Sequence, residues 1–256
     1  MLVTAALMLG VYAIVELDLR AGVPAVLLLI AFLLRQAKAA KPLLPLRLFT
    51  SRTLAGANGV QALLVAAAFG FQFLVVLYLR LVLGLSAERT GLAMLPVAVA
   101  IAVVSLLVSA RVTQAFGERA VLLTGLTLMT GGLVLLARIP ADGGYLADVL
   151  PATLVLGVGF GLAMPALMAL GMSDAAPAET GLASGLFNTT QQVAGALGLS
   201  ALAVLAATRT GGMPTPSGEA LTSGYRLAFL AAAALVAAAT VLAGFVFTPR
   251  RGAATR

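Results

Sequence analysis

The chain has 256 residues, 61% of them hydrophobic and only 10% charged, with a net charge of +7 at pH 7 and a mean hydropathy of +1.09. An ordinary soluble domain is nearer half apolar and a quarter charged, so there are too few charges here to cover the outside of a water-soluble fold, and lipid is the better solvent. With no His and no Cys, His-based triads, thiol nucleophiles, disulfides, zinc sites with N or S ligands and haem held by His or Cys are excluded. Neither Lys38 nor Lys41 sits in a G-x-x-x-x-G-K-[ST] loop, so no nucleotide-driven motor is present. No metal or cofactor is expected.

A bilayer core about 30 Å thick needs about 20 helical residues. Six segments meet that length: residues 55–79, 90–112, 120–137, 146–171, 181–207 and 227–247. Residues 2–15 and 21–34 are apolar but short. They are read as two further helices, with a buried or interfacial pair as the alternative. A signal peptide would need a basic run-in and a small-residue cleavage site, which the first segment lacks. The expected class is an all-α polytopic membrane protein of about eight transmembrane helices.

Polar punctuation separates the spans. Residues 16–20 form the first turn, and residues 35–52 a basic connector with Pro42 and Pro45. Ser86 is placed to cap the helix that follows it. Residues 208–226, rich in Gly, Pro, Ser and Thr, are expected to be the longest loop.

Placing the 35–52 connector in the cytoplasm puts Arg35, Lys38, Lys41, Arg47, Arg52, Arg111, Arg119, Arg250, Arg251 and Arg256 on that side. Arg20, Arg80, Arg89, Arg138, Arg209 and Arg226 fall on the other. The bias is moderate and follows the positive-inside rule. Tyr12, Tyr78, Tyr145 and Tyr225 then all lie near outer span ends, where amphipathic rings collect. The basic residues are dispersed among loop ends and form no stripe interleaved with aromatics, so they are topology signals and no nucleic-acid partner is expected.

Amides, hydroxyls and glycines carry the information inside the spans. Asn58, Gln61 and Gln72 lie within about 60° of one another at 100° per residue. Asn188, Gln191, Gln192 and Gly195 follow i, i+3, i+4, i+7, flanked by Thr189 and Thr190. Amides facing lipid would be unmet, so both stripes should face protein or a wet cavity. Two readings stay open: the polar wall of a translocation pathway, or hydrogen-bonded glue between helices. Gly131, Gly132, Gly157, Gly159, Gly161, Gly181, Gly185, Gly195 and Gly198 are read first as sites of close helix packing, with bending of a moving helix as the sharper alternative. Asp148 sits at the mouth of its span. It is a candidate proton or cation site, or more plainly a helix-start acid favoured by the dipole.

Three stretches carry a family resemblance. Lys41-Pro42-Leu43-Leu44-Pro45-Leu46-Arg47-Leu48-Phe49 resembles the segment before the C-terminal six-helix bundle of major facilitator superfamily transporters, in the branch of fourteen-helix drug–proton antiporters. Gly181-Leu182-Ala183-Ser184-Gly185-Leu186-Phe187-Asn188-Thr189-Thr190-Gln191-Gln192-Val193-Ala194-Gly195 is similar to that branch's next-to-last helix. Residues 109–119, ending in Gly117-Glu118-Arg119, are similar to the superfamily's loop motif, which makes Arg111, Gly117 and Arg119 loop-motif candidates. Gln114 stands where that motif has an acid, which weakens a gating role.

The resemblance implies two linker helices and a connector over residues 1–53, the C-terminal six-helix bundle over 54–249, and a basic cytoplasmic tail over 250–256. The family's N-terminal six-helix bundle would be missing, and a start at Met1 within an apolar run fits a truncated reading frame or a fragment. The implied function is proton-coupled export of drug-like or amphiphilic molecules across the cell membrane, with both termini cytoplasmic. Substrate would bind between two halves that rock against each other. Asn58, Gln61, Gln72, Asn188, Gln191 and Gln192 would line this half's share of the pathway. Expected partners are the bilayer, an amphiphilic substrate, protons and the missing half. The alternative is a truncated non-transporting membrane protein or a half-transporter that depends on a partner. An enzyme is least favoured, because no cluster of chemistry-bearing groups exists.

Overall fold

A computed structural model describes residues 52–173, 180–209 and 217–248. The segments 2–15 and 21–34, the connector with its Lys41–Phe49 resemblance, Tyr12 and the 250–256 tail lie outside the described residues. Most of the charge bias read from the sequence therefore lies outside them too.

Six helices long and apolar enough to cross a membrane run in sequence: α1 (Arg52–Val82), α2 (Ala87–Phe116), α3 (Glu118–Leu136), α4 (Tyr145–Met172), α5 (Thr180–Thr208) and α6 (Gly218–Val246). No strand is present among the described residues. The shortest, α3, spans about 29 Å at 1.5 Å per residue, enough to cross the hydrocarbon core. The backbone tightness varies at defined places. Residues Tyr78–Val82, Val104–Val108 and Tyr145–Val149 are π-helical turns within α1, α2 and α4.

Local chemistry sets the helix ends. The Ser86 hydroxyl accepts from the Arg89 N–H at 3.3 Å, with Glu88 in the first turn of α2. Gly117, at φ 81° and ψ 153°, turns the chain from α2 into α3 through backbone space essentially reserved for glycine. The largest departure from the sequence reading is at α6. It begins at Gly218, nine residues before the expected start at 227. The Ser217 hydroxyl accepts from the Ala220 N–H at 3.2 Å and Glu219 lies in the first turn, so a loop-like composition is in fact a well-made helix start.

The packing register can be read from the glycines. Gly125 faces Gly159 and Ala163, and Gly132 faces Ala152 and Leu156, so α3 and α4 pack antiparallel. Gly157 lies against the Val97 carbonyl and Gly161 against the Ile101 carbonyl, so α2 and α4 run parallel. In the other half, α1 runs parallel to α5 (Ala66 against Gly198, Gly70 against Leu202) and antiparallel to α6 (Gly59 against Leu242). Exchanging α1 with α4, α2 with α5 and α3 with α6 maps one set of neighbours onto the other with every direction reversed. The bundle is therefore an inverted repeat of three helices, an arrangement found in transporters.

The core is built mainly by α1, α3, α4 and α6, with Leu64, Leu74, Leu126, Met129, Leu133, Leu156 and Phe229 fully buried. Between its polar ends helix α2 is apolar on every side yet stands mostly outside that core, with Leu106 77% exposed and Leu107 61% exposed. Such a surface costs nothing against lipid tails.

Each end of the bundle is tied by polar contacts. The C-terminus of α6 has no basic residue in its last turn. Arg52 from α1 donates to the Phe245 carbonyl and Arg119 from α3 to the Gly244 carbonyl, each at 3.3 Å. These are carbonyls that the helix leaves unpaired, at the negative end of its dipole. At the other end the α3–α4 loop is held from three sides. Tyr78 donates to the Pro140 carbonyl at 2.7 Å, Arg226 to the Ile139 carbonyl at 2.6 Å, and the Asp148 carboxylate accepts from the Gly144 N–H at 2.8 Å.

Candidate functional site

Two cavities sit side by side along one face of α1, where α4 runs past it. The first, about 270 Å³, is closed by α5 and lined by Gln61, Met164, Leu167, Met168, Ser184, Phe187, Asn188 and Gln191. The second, about 310 Å³, is closed by α2; Phe69, Phe71, Met94, Leu95 and Phe160 line it, and Gln72 is its one amide. Gln61 and Gln72 are eleven residues apart on nearly the same helical face, hence about 16 Å apart along the axis. On α4 one turn separates Phe160, in the apolar cavity, from Met164, in the polar one.

The predicted amides divide by role. Asn58 is committed to structure: its amide donates to the Leu54 carbonyl of its own helix at 2.9 Å, and its oxygen accepts from the Thr190 hydroxyl at 2.8 Å, joining α1 to α5. Gln61 is only 2% exposed, and its Oε1 finds no donor among the described residues. Asn188 and Gln191 meet it across the same cavity from α5. Gln72 stands in the second cavity. Gln192 is exposed beside Thr189 and lines neither cavity. Asn58, Gln61 and Gln72 thus meet different neighbours at different depths.

Sequence reasoning missed Ser184, Met164, Met168 and Phe187. Ser184 was findable, because it lies four and seven residues before Asn188 and Gln191 on the same stripe. Its hydroxyl donates to the Gly181 carbonyl at 3.0 Å. Thr190 was seen only as a flank, whereas it is the partner of Asn58.

The other candidates lie at the ends. Asp148 sits in the first turn of α4, bonded to Gly144, in a shallow pocket with Arg138. Arg119 is half-buried against α6, and its Nε has no partner among the described residues. Gly117 supplies the turn before it, and Arg111 is exposed on α2. Among the described residues no group of three or more acidic side chains converges as a metal site.

The cavity around Gln61 is thus walled by neutral amides, one hydroxyl and thioethers, inside a bundle of membrane-length helices. Residues 2–199 match the family model described as Major Facilitator Superfamily. The chain belongs to the major facilitator superfamily. Members of this superfamily are carriers. Among its relatives is the puromycin resistance protein pur8 of Streptomyces alboniger, 32% identical over 238 residues, covering 90% of this chain and 47% of the relative. The cephamycin export protein CmcT of Amycolatopsis lactamdurans is 32% identical over 217 residues, covering 84% of this chain and 44% of the relative. The tetracenomycin C resistance and export protein of Streptomyces glaucescens is 33% identical over 187 residues, covering 73% and 34%. The chain thus spans between a third and a half of the length of these relatives, which fits a C-terminal portion of such a transporter.

Proposed function

We propose that the chain forms the C-terminal portion of a proton-coupled exporter of drug-like or amphiphilic small molecules, in the fourteen-helix drug–proton antiporter branch. The observation that carries the reading is the pair of adjoining cavities on α1 and α4. One offers amides and the other aromatic and thioether surface, which together suit a molecule with a polar and an apolar part. The relatives' names point the same way: puromycin resistance, cephamycin export, and tetracenomycin C resistance and export. The protein works as a carrier in the cell membrane with both termini cytoplasmic, and not as an enzyme.

The exposed stripe of α5 supports a dependence on a second half. Gly185, Asn188, Thr189 and Gln192 all present outward from the described bundle. Amides and hydroxyls there cannot be left against hydrocarbon, so the stripe faces water or another six-helix segment. Substrate then binds between the halves, and access alternates by rocking.

The test uses a bacterium stripped of its own drug pumps. The chain is expressed alone and together with the N-terminal six-helix portion of the pur8 relative, and ethidium movement is followed in inverted vesicles energised with a proton gradient. Transport is expected only with both halves present, collapsing when a protonophore is added. At equal membrane levels, an absence of gradient-driven ethidium movement in the completed pair contradicts the reading.

A further inference from the structure

A pocket of about 200 Å³ lies between the end of α3 and the start of α4, at the end of the bundle that carries the α3–α4 loop. Its two charged walls are Arg138 and Asp148. No ion pair joins them among the described residues, and Arg138 is exposed. The Asp148 carboxylate accepts from the Gly144 N–H at 2.8 Å. A carboxylate offers about four acceptor sites, so it keeps capacity for further donors. Arg226, the cation that α6 brings to this end, is engaged by the Ile139 carbonyl.

Beside the pocket the surface is apolar and open. Leu135 and Leu146 flank it at 47% and 73% exposed. Gly131 lies one turn deeper in α3, and at 100° per residue it shares a face about 60° wide with Leu135 and Arg138. Nothing comes within 4 Å of a Cβ built on Gly131, so that face of the span is bare there. From Arg138 to Gly131 is about 10 Å along the helix axis, from the end of the span into its apolar length.

We propose that this pocket holds the headgroup of a zwitterionic aminophospholipid. The phosphate pairs with Arg138, the primary ammonium donates to Asp148, and an acyl chain runs along Leu135 and Gly131. The charges select among occupants. A purely anionic headgroup satisfies Arg138 but sets its own charge beside Asp148 with no cation to answer it. A choline headgroup carries a positive charge without an N–H, so it gives the carboxylate no hydrogen bond. A soluble zwitterion meets both charges and gains nothing from Leu135 and Leu146. At about 200 Å³ the pocket is smaller than those that enclose drug-sized ligands. Both charged residues sit at span ends, the depth at which headgroups lie. The proposal concerns the lipid around the bundle and stands apart from the exporter reading.

The test uses the whole chain, purified in detergent and freed of lipid. Phosphatidylethanolamine, phosphatidylglycerol and phosphatidylcholine with identical acyl chains are added in turn, and bound lipid is counted by native mass spectrometry. Phosphatidylethanolamine is expected to be retained about fivefold better than the other two, the effect of one exposed ion pair. Arg138→Gln and Asp148→Asn should each remove that preference. Asparagine at 148 can still accept from the Gly144 N–H, and Arg138 is exposed, so both variants keep the fold's own contacts. Arg80→Gln removes another exposed cation and should leave the preference unchanged. Equal retention of the three lipids in the wild-type chain overturns the proposal, whether or not the variants assemble. So does a preference that survives both Arg138→Gln and Asp148→Asn, or one lost equally in Arg80→Gln, the mark of general surface charge. Displacement of the lipid by an equal concentration of free phosphoethanolamine would assign the pocket to a soluble ligand and likewise overturn it.

Discussion

Replacing Gly125 by alanine puts a methyl group into a close backbone approach between α3 and α4. A Cβ built there lies 2.7 Å from the Gly159 carbonyl oxygen, 2.8 Å from the Ala163 nitrogen and 3.0 Å from the Ala163 Cβ. Ordinary carbon contacts sit near 3.5–4.0 Å, so α3 and α4 must separate by roughly 0.8 Å. Two of the three obstacles are backbone, which no rotamer change relieves. A gap of that size forfeits a quarter to a half of each van der Waals contact along the seam, and overpacking of this kind costs about 1–3 kcal/mol. The gain in helix propensity from Gly to Ala offsets at most about 1 kcal/mol of it. Gly131 is the internal control: it lies on the same helix, it is exposed, and nothing comes within 4 Å of its built Cβ. Only the propensity gain remains at that position, so Gly131→Ala is expected to be stabilising by up to about 1 kcal/mol. The propensity gain is common to both variants, so they should differ by the overpacking cost, about 1–3 kcal/mol, with Gly125→Ala the less stable. Equilibrium unfolding by SDS in mixed micelles reads the difference. If Gly125→Ala proves as stable as Gly131→Ala, the α3–α4 register described here is wrong.

Three further outcomes follow from the same structure. In a double-mutant cycle with Asn58→Leu and Thr190→Val, the 2.8 Å bond between the two side chains should appear as a coupling of about 0.6 kcal/mol, typical of interhelical bonds in membranes; strict additivity in SDS unfolding would show that the bond does not form. Gly117→Ala forces a Cβ onto φ 81°, ψ 153° and should cost about 1–3 kcal/mol in the same assay, although the space around the residue is open. Arg119→Met should cost about 1–2 kcal/mol through the loss of the bond to Gly244, and should expose the end of α6 to limited proteolysis; unchanged cleavage would count against that tie.

The spans were legible because a single physical quantity, the length of an apolar run against the thickness of the bilayer, fixes them to within a few residues. The start of α6 was not. Glycine, serine and threonine read as loop, yet Ser217 is a cap, and Gly224 lies against the Ala206 carbonyl. There glycine serves packing, not turning. Glycine spacing told which positions to suspect and not which were close. Gly157, Gly159, Gly161 and Gly198 touch neighbours, whereas Gly131, Gly181 and Gly185 face open space, because packing depends on where the next helix lies. The 3.6-residue period groups the amides of α1, and those of α5, by helical face. Periodicity carries no depth, so it did not separate Asn58, bonded to Thr190, from Gln61, beside a cavity, or from Gln72 in a different one. Arg52 and Arg119 were counted as topology charges. That they reach the end of α6 depends on three helix termini meeting, which no local pattern records.

The central claim is that the polar face of α5 borders a water-filled substrate pathway, whereas the outward face of α2 borders lipid. Because the chain contains no cysteine, single cysteines can be placed at Gly185, Asn188 and Gln192 on α5 and at Val99, Leu106 and Leu107 on α2. Each is then probed in intact vesicles of the completed pair with a charged, water-soluble maleimide, which reacts only with thiolate in contact with water. The α5 positions are expected to label, and ethidium should slow the labelling at Asn188, while the α2 positions stay unreactive. Equal inertness on both helices, or labelling confined to α2, contradicts the account.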